Sequence, residues 1–288
     1  MSPAQAHPLS GGRWHLQHGP IDLILHAFGP APACRDAYAA AERRFATLLD
    51  ELCAELASLR APAGAAPVAG VVARRMQAAV EPHRAAGFIT PMAAVAGAVA
   101  EEVLEAMTGA APLDRAFVNN GGDIALHLSE GTAFRIGLID RPDCPGLFGT
   151  AVVRAEDGIR GIATSGWRGR SFSLGIADAV TVLSATAARA DAAATVIANA
   201  VDLPGHAAIR RVPAVEVQCE SDLGARLVTR DVGPLPAADI VHALERGAAC
   251  AESLAAQGLI RAAALHCQGS TRIAGRRVLE LQEEGGPR

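Results

Sequence analysis

The pattern of apolar and polar positions predicts strands near both ends of the chain and through its middle, separated by long helices. Residues 14–16 and 21–27 largely alternate as strands do, around the turn His18-Gly19-Pro20. Residues 34–60 repeat apolar side chains every three or four positions, which is typical of an amphipathic helix. Patterns of the same two kinds predict helices at 71–80, 185–201 and 236–257, and strands at 116–119, 124–128, 134–139, 151–154, 159–163, 177–183, 214–218, 226–229, 261–267 and 272–273.

One further helix is expected to lie in the middle of the fold. Thr90 suits the N-cap and Pro91 the first helical position, and the helix should end near Gly109. Its first two turns, residues 92–99, carry no charge, and a helix that is apolar on all sides is buried. Antiparallel-looking strands with such helices between them predict an α+β fold with mixed or antiparallel sheets and long, buried, alanine-rich helices.

The chain is expected to form one domain. Its length of 288 residues suits a single large domain, and 50% of the residues are apolar, enough for a sizeable core. No internal boundary is visible, so we predict a domain over 13–275, a disordered tail over 1–12 and a flexible tail over 276–288. The N-terminus resembles no signal peptide, and the longest apolar stretch, around 92–100, is too short to span a bilayer. We therefore expect a cytoplasmic protein without a membrane partner.

Composition excludes several classes of function. Every basic residue is arginine, so a catalytic lysine, a Schiff base and a P-loop are ruled out. The net charge is −4 and only 3% of residues are aromatic, so nucleic acid is not an expected partner. The six cysteines form no CxxC pair and match no zinc spacing, and we expect them to be reduced.

The first segment with candidate chemistry is Asn119-Asn120-Gly121-Gly122-Asp123, between two predicted strands. One interpretation is an ordinary hairpin turn, because Asn and Gly tolerate positive φ. The other is a ligand site in which the glycines let a ligand approach the backbone. Asp123 would then accept hydrogen bonds from sugar hydroxyls or a base edge.

The second segment is Thr164-Ser165-Gly166, followed by Arg168 and Arg170. Backbone N–H groups, hydroxyls and two guanidinium groups together could cradle a phosphate. The alternative is a solvated loop.

The third segment lies on the predicted helix 185–201. Asp191 and Thr195 are four residues apart and face one side of the helix, and Asn199 continues that stripe. The other faces are almost entirely Ala, Val and Ile, and a buried carboxylate is costly unless it is paired or binds a metal. A carboxylate and a hydroxyl suit Mg²⁺. The alternative is that Asp191 caps another segment or pairs with an arginine.

These segments resemble, in the same order, sequence elements of the ApbE flavin-transferase superfamily, and more closely a short, largely uncharacterised branch of it. The elements are Asn120-Gly121-Gly122-Asp123-Ile124, Ala163-Thr164-Ser165-Gly166, Ala179-Val180-Thr181-Val182 and Ala190-Asp191-Ala192-Ala193-Ala194-Thr195. The branch resemblance covers roughly residues 13–275 and implies the ApbE-like fold. It also implies an FAD or FMN ligand, cleavage of the FAD pyrophosphate with FMN or AMP transfer, Mg²⁺ held by Asp191 and Thr195, and contact of Asp123 with the nucleotide.

The chain also departs from the superfamily pattern. A His-Ile-x-Asp-Pro-x-Thr-Gly segment is expected between the Thr-Ser-Gly and Val-Thr-Val elements, and here that interval contains no histidine. This leaves two hypotheses: a Mg²⁺-dependent transferase or pyrophosphatase, and a non-catalytic protein that binds a cofactor or carries it. In the carrier version, Cys144 beside Arg141 could be a thiol that carries sulfur. A third hypothesis is a structural partner, such as a homodimer joined through the apolar helices.

Overall fold

The computed structural model describes residues 3–139, 146–276 and 279–281. Its α-helices are α1 (Ala31–Ala54), α2 (Leu56–Leu59), α3 (Val71–Val80), α4 (Val95–Ala110), α5 (Ala187–Ala200), α6 (Ala214–Val217) and α7 (Ala237–Ala256). Its strands are β1 (Gln5–Pro8), β2 (Trp14–His18), β3 (Ile21–Phe28), β4 (Arg115–Asn120), β5 (Asp123–Leu128), β6 (Ala133–Ile139), β7 (Leu147–Arg154), β8 (Gly161–Ser165), β9 (Ala179–Ser184), β10 (Ile209–Pro213), β11 (Leu227–Val232), β12 (Ala262–Cys267), β13 (Ser270–Gly275) and β14 (Leu279–Leu281).

The predicted α+β class is confirmed. Every strand pair whose register is defined in the described part of the chain is antiparallel. The described residues divide into two compact units. The first contains those of Met1–Ala133, Arg154–Ala163 and Ser184–Ala192, and the second contains those of Phe134–Val153, Thr164–Leu183 and Ala193–Arg288.

The first unit is a helix-backed antiparallel sheet. Its strand order is β1-β2-β3-β4-β5-β8, with β8 represented by its first residues. Helix α4 packs on β4 and β5, and α1 packs on α4, β2 and β3. Strand β3 follows the predicted alternation, because every second side chain is buried, from Ile21 to Ala27. The uncharged start of α4 is also largely interior, with Ala98, Val99 and Ala100 buried.

The second unit contains three groups of antiparallel strands. Strand β12 lies between β9 and β13, and α7 packs on β12 and β13. A Cβ added to Gly247 of α7 would lie 2.3 Å from Val201 Cγ2 and 2.7 Å from Leu265 Cδ2, so a larger residue there would force these side chains to shift. Strands β10 and β11 form a two-stranded sheet, and β6, β7 and β14 form a three-stranded one.

Several predicted elements differ from the structure at residues where local geometry overrides the pattern. The alternation in residues 214–218 predicted a strand, but Ala214–Val217 forms a helical turn that follows Pro213. Val215 and Val217 are 40% and 41% exposed, so their alternation does not mark a buried strand face. Residues 209–213, predicted as neither helix nor strand, form β10 and pair with β11. Gln5–Pro8, expected within a disordered tail, forms β1 and pairs with β2.

No single helix in the described ranges is long and apolar enough to cross a membrane. The helical segments Val71–Ala86 and Pro91–Ala110 reach that length and apolar composition only when taken together, and a bend of 118° separates them.

Candidate functional site

The Asn119–Asp123 segment forms the tight hairpin between β4 and β5. Asn120 pairs with Asp123, which leaves Gly121 and Gly122 as the two loop residues, with φ of 66° and 113°. The Asn119 side-chain oxygen accepts a hydrogen bond from Gly122 N–H at 2.8 Å. These positive φ angles explain both glycines. A Cβ on Gly122 would meet no atom within 4 Å, so one side of the loop is also open.

Asn120 connects this hairpin to the beginning of α4. It is buried, and its amide nitrogen donates to the Ala96 carbonyl at 3.1 Å. Asn120 was predicted to contact a cofactor, but this side-chain donor is directed at the protein backbone. Its observed contact therefore positions the hairpin, and its contact with a cofactor stays a prediction.

Asp191, in the first half of α5, accepts hydrogen bonds from the start of α4. Its Oδ2 lies 3.0 Å from Gly97 N, and Ala96 N–H also donates to the carboxylate. The first N–H groups of a helix have no partners within the helix, so a carboxylate is a favourable acceptor for them. This matches the alternative in which Asp191 caps another segment.

Ionisation of the Asp191 carboxyl group is electrostatically unfavourable. Removal from water, and then the nearby carboxylate of Asp123, raise the pKa of Asp191 well above its usual value. The N–H groups of Gly97 and Ala96 offset part of this effect. Asp123 and Asp191, both in the first unit, are therefore close enough for their charges to interact, and the pair favours binding either a proton or a cation.

The Thr164–Arg170 segment belongs to the second unit. The Thr164 hydroxyl lies 2.9 Å from the Thr181 hydroxyl of β9. Gly166 is required by packing, because a Cβ there would lie 2.4 Å from the Asp178 carbonyl oxygen. Two N–H groups that could have served an anion cradle are used internally: Trp167 N donates to the Ala177 carbonyl and Gly169 N to the Gly166 carbonyl.

Arg168 is held in place by Asp178, a residue that sequence reasoning did not single out. The Arg168 Nε lies 2.7 Å from Asp178 Oδ1, and the guanidinium carbon lies 4.3 Å from the centroid of Trp167. The buried carboxylate of Asp178 also accepts from Gln268 N at 2.6 Å. In the described part of the chain, neither terminal nitrogen of Arg168 has a hydrogen-bond partner. Arg170 and its neighbour Gly169 are exposed, whereas Ser165 is half-buried.

Thr195 and Asn199 lie further along α5, both half-buried. Thr195 follows Asp191 by four residues, so the helical spacing predicted for the pair is present. The side-chain oxygen of Asn199 accepts hydrogen bonds from Leu174 N at 2.8 Å and Ser173 Oγ at 3.2 Å. It therefore anchors the chain before β9.

Residues 4–273 match a family model described as AbpE bacteria. The chain belongs to this family. The resemblance to the ApbE-like superfamily inferred from the motifs is therefore confirmed.

Curated relatives of this AbpE-family chain are UPF0280 proteins. One, from Methanopyrus kandleri, is 37% identical over 129 residues, which cover 44% of this chain and 48% of the relative. Another, from Methanothrix thermoacetophila, is 43% identical over 115 residues, covering 39% of this chain and 46% of the relative. The chain thus spans about half the length of the curated relatives it matches.

Two solved structures match most of the AbpE-family chain. The apo form of the flavinyl transferase ApbE of Pseudomonas stutzeri is 14% identical with a TM-score of 0.46, and the match covers 94% of each chain. The flavin transferase ApbE of Vibrio cholerae is 13% identical with a TM-score of 0.49, covering 94% of this chain and 98% of the other.

The described residues of this AbpE-family chain contain no group of three or more His, Cys, Asp or Glu side chains placed to hold a metal ion. A Mg²⁺ site does not need such a group, because this ion keeps water and ligand phosphates around it. Arg141 and Cys144, considered for a thiol function, lie outside the described residues.

Proposed function

We propose that this chain binds a flavin- or nucleotide-type cofactor, with FAD as the first candidate, and uses Mg²⁺ to break its pyrophosphate bond. One half of the cofactor, FMN or AMP, is transferred to an acceptor such as water, and the other half leaves. The observation that supports this most strongly is the carboxylate of Asp191, which is close to Asp123 and has a raised pKa. Two neighbouring carboxylates are stabilised together by a bound cation. In the proposed site, that cation is Mg²⁺.

Asp191 and Thr195 are the proposed Mg²⁺ ligands. Gly97 donates to Oδ2 of Asp191, and a carboxylate has further lone pairs on both oxygens. Thr195 adds a hydroxyl one helical turn later. This donor set of oxygen atoms fits Mg²⁺, which would neutralise charge on the ligand phosphates.

The β4–β5 hairpin is the proposed contact for the nucleoside part of the ligand. Gly122 has open space where a side chain would lie, so a ring or sugar could approach the backbone there. Asn119 and Asp123 flank this opening, and Asp123 would accept hydrogen bonds from ligand hydroxyls. Asn120 supports the loop from behind through its bond to Ala96.

Arg168 is the proposed phosphate clamp. The Arg168 Nε donates to Asp178, and the guanidinium group lies over the Trp167 ring. The side chain is therefore already ordered, and little conformational freedom would be lost on binding a phosphate. The terminal N–H groups of a guanidinium match two phosphate oxygens. Thr164 and Ser165 would add hydroxyl groups, and exposed Arg170 would add a second positive charge. Gly166 permits the close packing that places this segment beside Asp178.

The proposal is tested by ligand binding and by product analysis on the same protein. The thermal midpoint should rise with FAD and Mg²⁺ together more than with either alone, because ligands that bind the native state stabilise it. Chromatography should then detect FMN and AMP formed from FAD. Thr195→Val should weaken the Mg²⁺ effect, whereas Thr195→Ser, which keeps the hydroxyl, should retain it. Absence of a shift with FAD and other nucleotide cofactors would reject the proposal.

A second candidate is a cofactor-binding or cofactor-carrying protein without catalysis. It is supported by the interval between Gly166 and Val180, which contains no histidine to transfer a proton. The same experiment separates the two functions. A thermal shift with FAD but no FMN or AMP above the protein-free blank would favour the binding protein.

A further inference from the structure

A pocket of about 180 Å³ lies within the first unit, and its walls include neither Asp191 nor the β4–β5 hairpin loop. Sites for drug-sized ligands usually have about 300–1,000 Å³, so this one suits a smaller molecule than a dinucleotide. Leucine and alanine side chains form its apolar wall. The polar residues around it are Glu101, Glu105, Thr108, His127, Arg160 and Thr186.

Three of these residues present hydrogen-bond acceptors. The Thr108 hydroxyl donates to the Leu104 carbonyl at 3.1 Å, so its lone pairs remain for a donor. The His127 Nε2 lies 3.1 Å from the Leu113 carbonyl oxygen, which can only accept. Nε2 therefore carries a proton, and in the neutral ring Nδ1 is then an acceptor. Glu105 uses Oε2 for Arg75, and its Oε1 has no partner among the residues that the structure describes.

Arg160 presents the positive charge of the pocket. Its Nη1 donates to the Ile159 carbonyl at 2.8 Å and its Nη2 to the Ala155 carbonyl at 2.9 Å. A guanidinium has five N–H groups, so these two bonds hold the group in place and leave donors for an anion. No carboxylate pairs with Arg160 in the described ranges.

Glu101, by contrast, is already satisfied. Its carboxylate accepts from Ala188 N at 2.7 Å, from the Thr186 hydroxyl and from Arg75 Nε at 3.1 Å. We therefore treat Glu101 and Thr186 as walls of the pocket. The groups left to recognise a ligand are acceptors on Glu105, Thr108 and His127, and donors on Arg160.

We propose that this pocket binds a small zwitterion, specifically an α-amino acid with a short apolar side chain. Its ammonium group has three N–H donors and would bind Glu105, Thr108 and His127, while its carboxylate would bind Arg160. The apolar side chain would lie against the leucine and alanine wall. The proposal does not depend on the flavin or Mg²⁺ site.

Isothermal titration of the full chain with three probes of similar shape tests the ligand class. L-Valine has both charged groups, isobutylamine lacks the carboxylate, and 3-methylbutanoate lacks the ammonium group. We expect L-valine to bind at least about tenfold more tightly than either, because each lost group removes a charge-assisted hydrogen bond. No binding of L-valine at millimolar concentration, or equal binding of one single-charge probe, would overturn the proposal.

Two variants test the site itself. Arg160→Gln should weaken L-valine binding about tenfold or more, and Thr108→Val, which keeps the side-chain shape, should weaken it measurably. Arg189→Gln, at an exposed position outside the pocket, is the control and should bind as the unmodified chain does. If Arg160→Gln does not fold, Thr108→Val decides. Unchanged affinity in Thr108→Val would contradict the assignment.

Discussion

The backbone N–H of Gly97 donates to the side chain of Asp191 across 3.0 Å, joining residues 94 positions apart in the chain. The same glycine permits the close approach of α4 to α5. A Cβ at position 97 would lie 2.3 Å from the Ala187 carbonyl oxygen, much closer than real Cβ contacts. The absence of a side chain at Gly97 is thus a condition for the position of Asp191.

Gly97→Ala should therefore destabilise the fold. We expect the free energy of unfolding to fall by about 1–3 kcal/mol, the usual cost of overpacking. The new methyl group would meet the backbone of α5, which cannot move aside as a flexible side chain can. Gly109→Ala is the matched control in the same helix. A Cβ there meets nothing within 4 Å, so it should raise stability by up to about 1 kcal/mol through helix propensity. Urea unfolding measures both, and equal effects would contradict the packing explanation.

Asp191→Asn should change how stability depends on pH in the absence of divalent metal. The raised pKa means that the native state keeps a proton to higher pH than the unfolded chain does. The contribution of this carboxyl group is therefore favourable at low pH and is lost as pH rises from about 3.9 through the folded-state pKa. Asparagine cannot ionise and still has an oxygen to accept from Gly97.

The measurement for this variant is urea unfolding in a chelating buffer across that pH range. The free energy of unfolding of the variant should fall less steeply as pH rises. Near neutral pH it should be higher than that of the unmodified chain. It should also lose any stabilisation by Mg²⁺. If the variant were less stable than the unmodified chain at every pH, the proposed unfavourable charge at position 191 would be incorrect.

Much of the fold was predictable where one local pattern and the tertiary environment agree. Strand β3 alternates because one of its faces is buried, and α3 has the predicted bounds of 71–80. The helical turn Ala214–Val217 was missed because Val215 and Val217 alternate in sequence without a buried strand face. Strand β10 was missed because its residues are stabilised by distant pairing with β11.

The site was predictable only in part. The resemblance to the ApbE elements implied that Asp123 contacts the nucleotide and Asp191 holds Mg²⁺, which favours a position of the two carboxylates near one ligand. The hydrogen bonds of Asn120 to Ala96, and of Asn199 to Leu174, could not. Both depend on which backbone group lies nearby in three dimensions. Asp178 was missed because its partners, Arg168 and Gln268, come from separate segments.

The burial of His83 should make the free energy of unfolding fall as pH drops. This side chain is 3% exposed, and in the described part of the chain its Nδ1 has no hydrogen-bond partner. Burial lowers the pKa of His83, so the native state keeps the neutral ring while the unfolded chain takes up a proton. Its contribution is therefore present above about pH 6.5 and is lost as pH falls through the folded-state value.

His83→Met should reduce the dependence of the free energy of unfolding on pH. Urea unfolding at about pH 7.5 and about pH 5.5 measures it, because these values lie on either side of the pKa of histidine in the unfolded chain. Some slope should remain, because burial, Arg13 and Arg115 also lower the pKa of His26. A slope identical to that of the unmodified chain would show that His83 does not contribute.

Arg75 of α3 forms ion pairs with three acidic residues of α4, and its loss should be among the more damaging single changes. It lies 3.1 Å from Glu101, 2.9 Å from Glu102 and 2.6 Å from Glu105. The side chains of Glu101 and Glu102 are only 14% and 11% exposed. Removing one partner of a buried pair leaves an uncompensated charge, at a cost of about 3–5 kcal/mol. We expect the lower end for Arg75→Met, because Arg44 still pairs with Glu102.

The matched control is Arg84→Met, which removes the Arg84–Glu81 pair in which both side chains are 50% exposed. An exposed pair contributes about 0–1 kcal/mol, so this variant should remain close to the unmodified chain in urea unfolding. Adding Glu101→Gln to Arg75→Met should recover part of the lost stability, since the uncompensated carboxylate is then neutral. If the losses in free energy of unfolding of the two single changes simply add in the double variant, Arg75 acts through packing of its aliphatic side-chain carbons and not through charge.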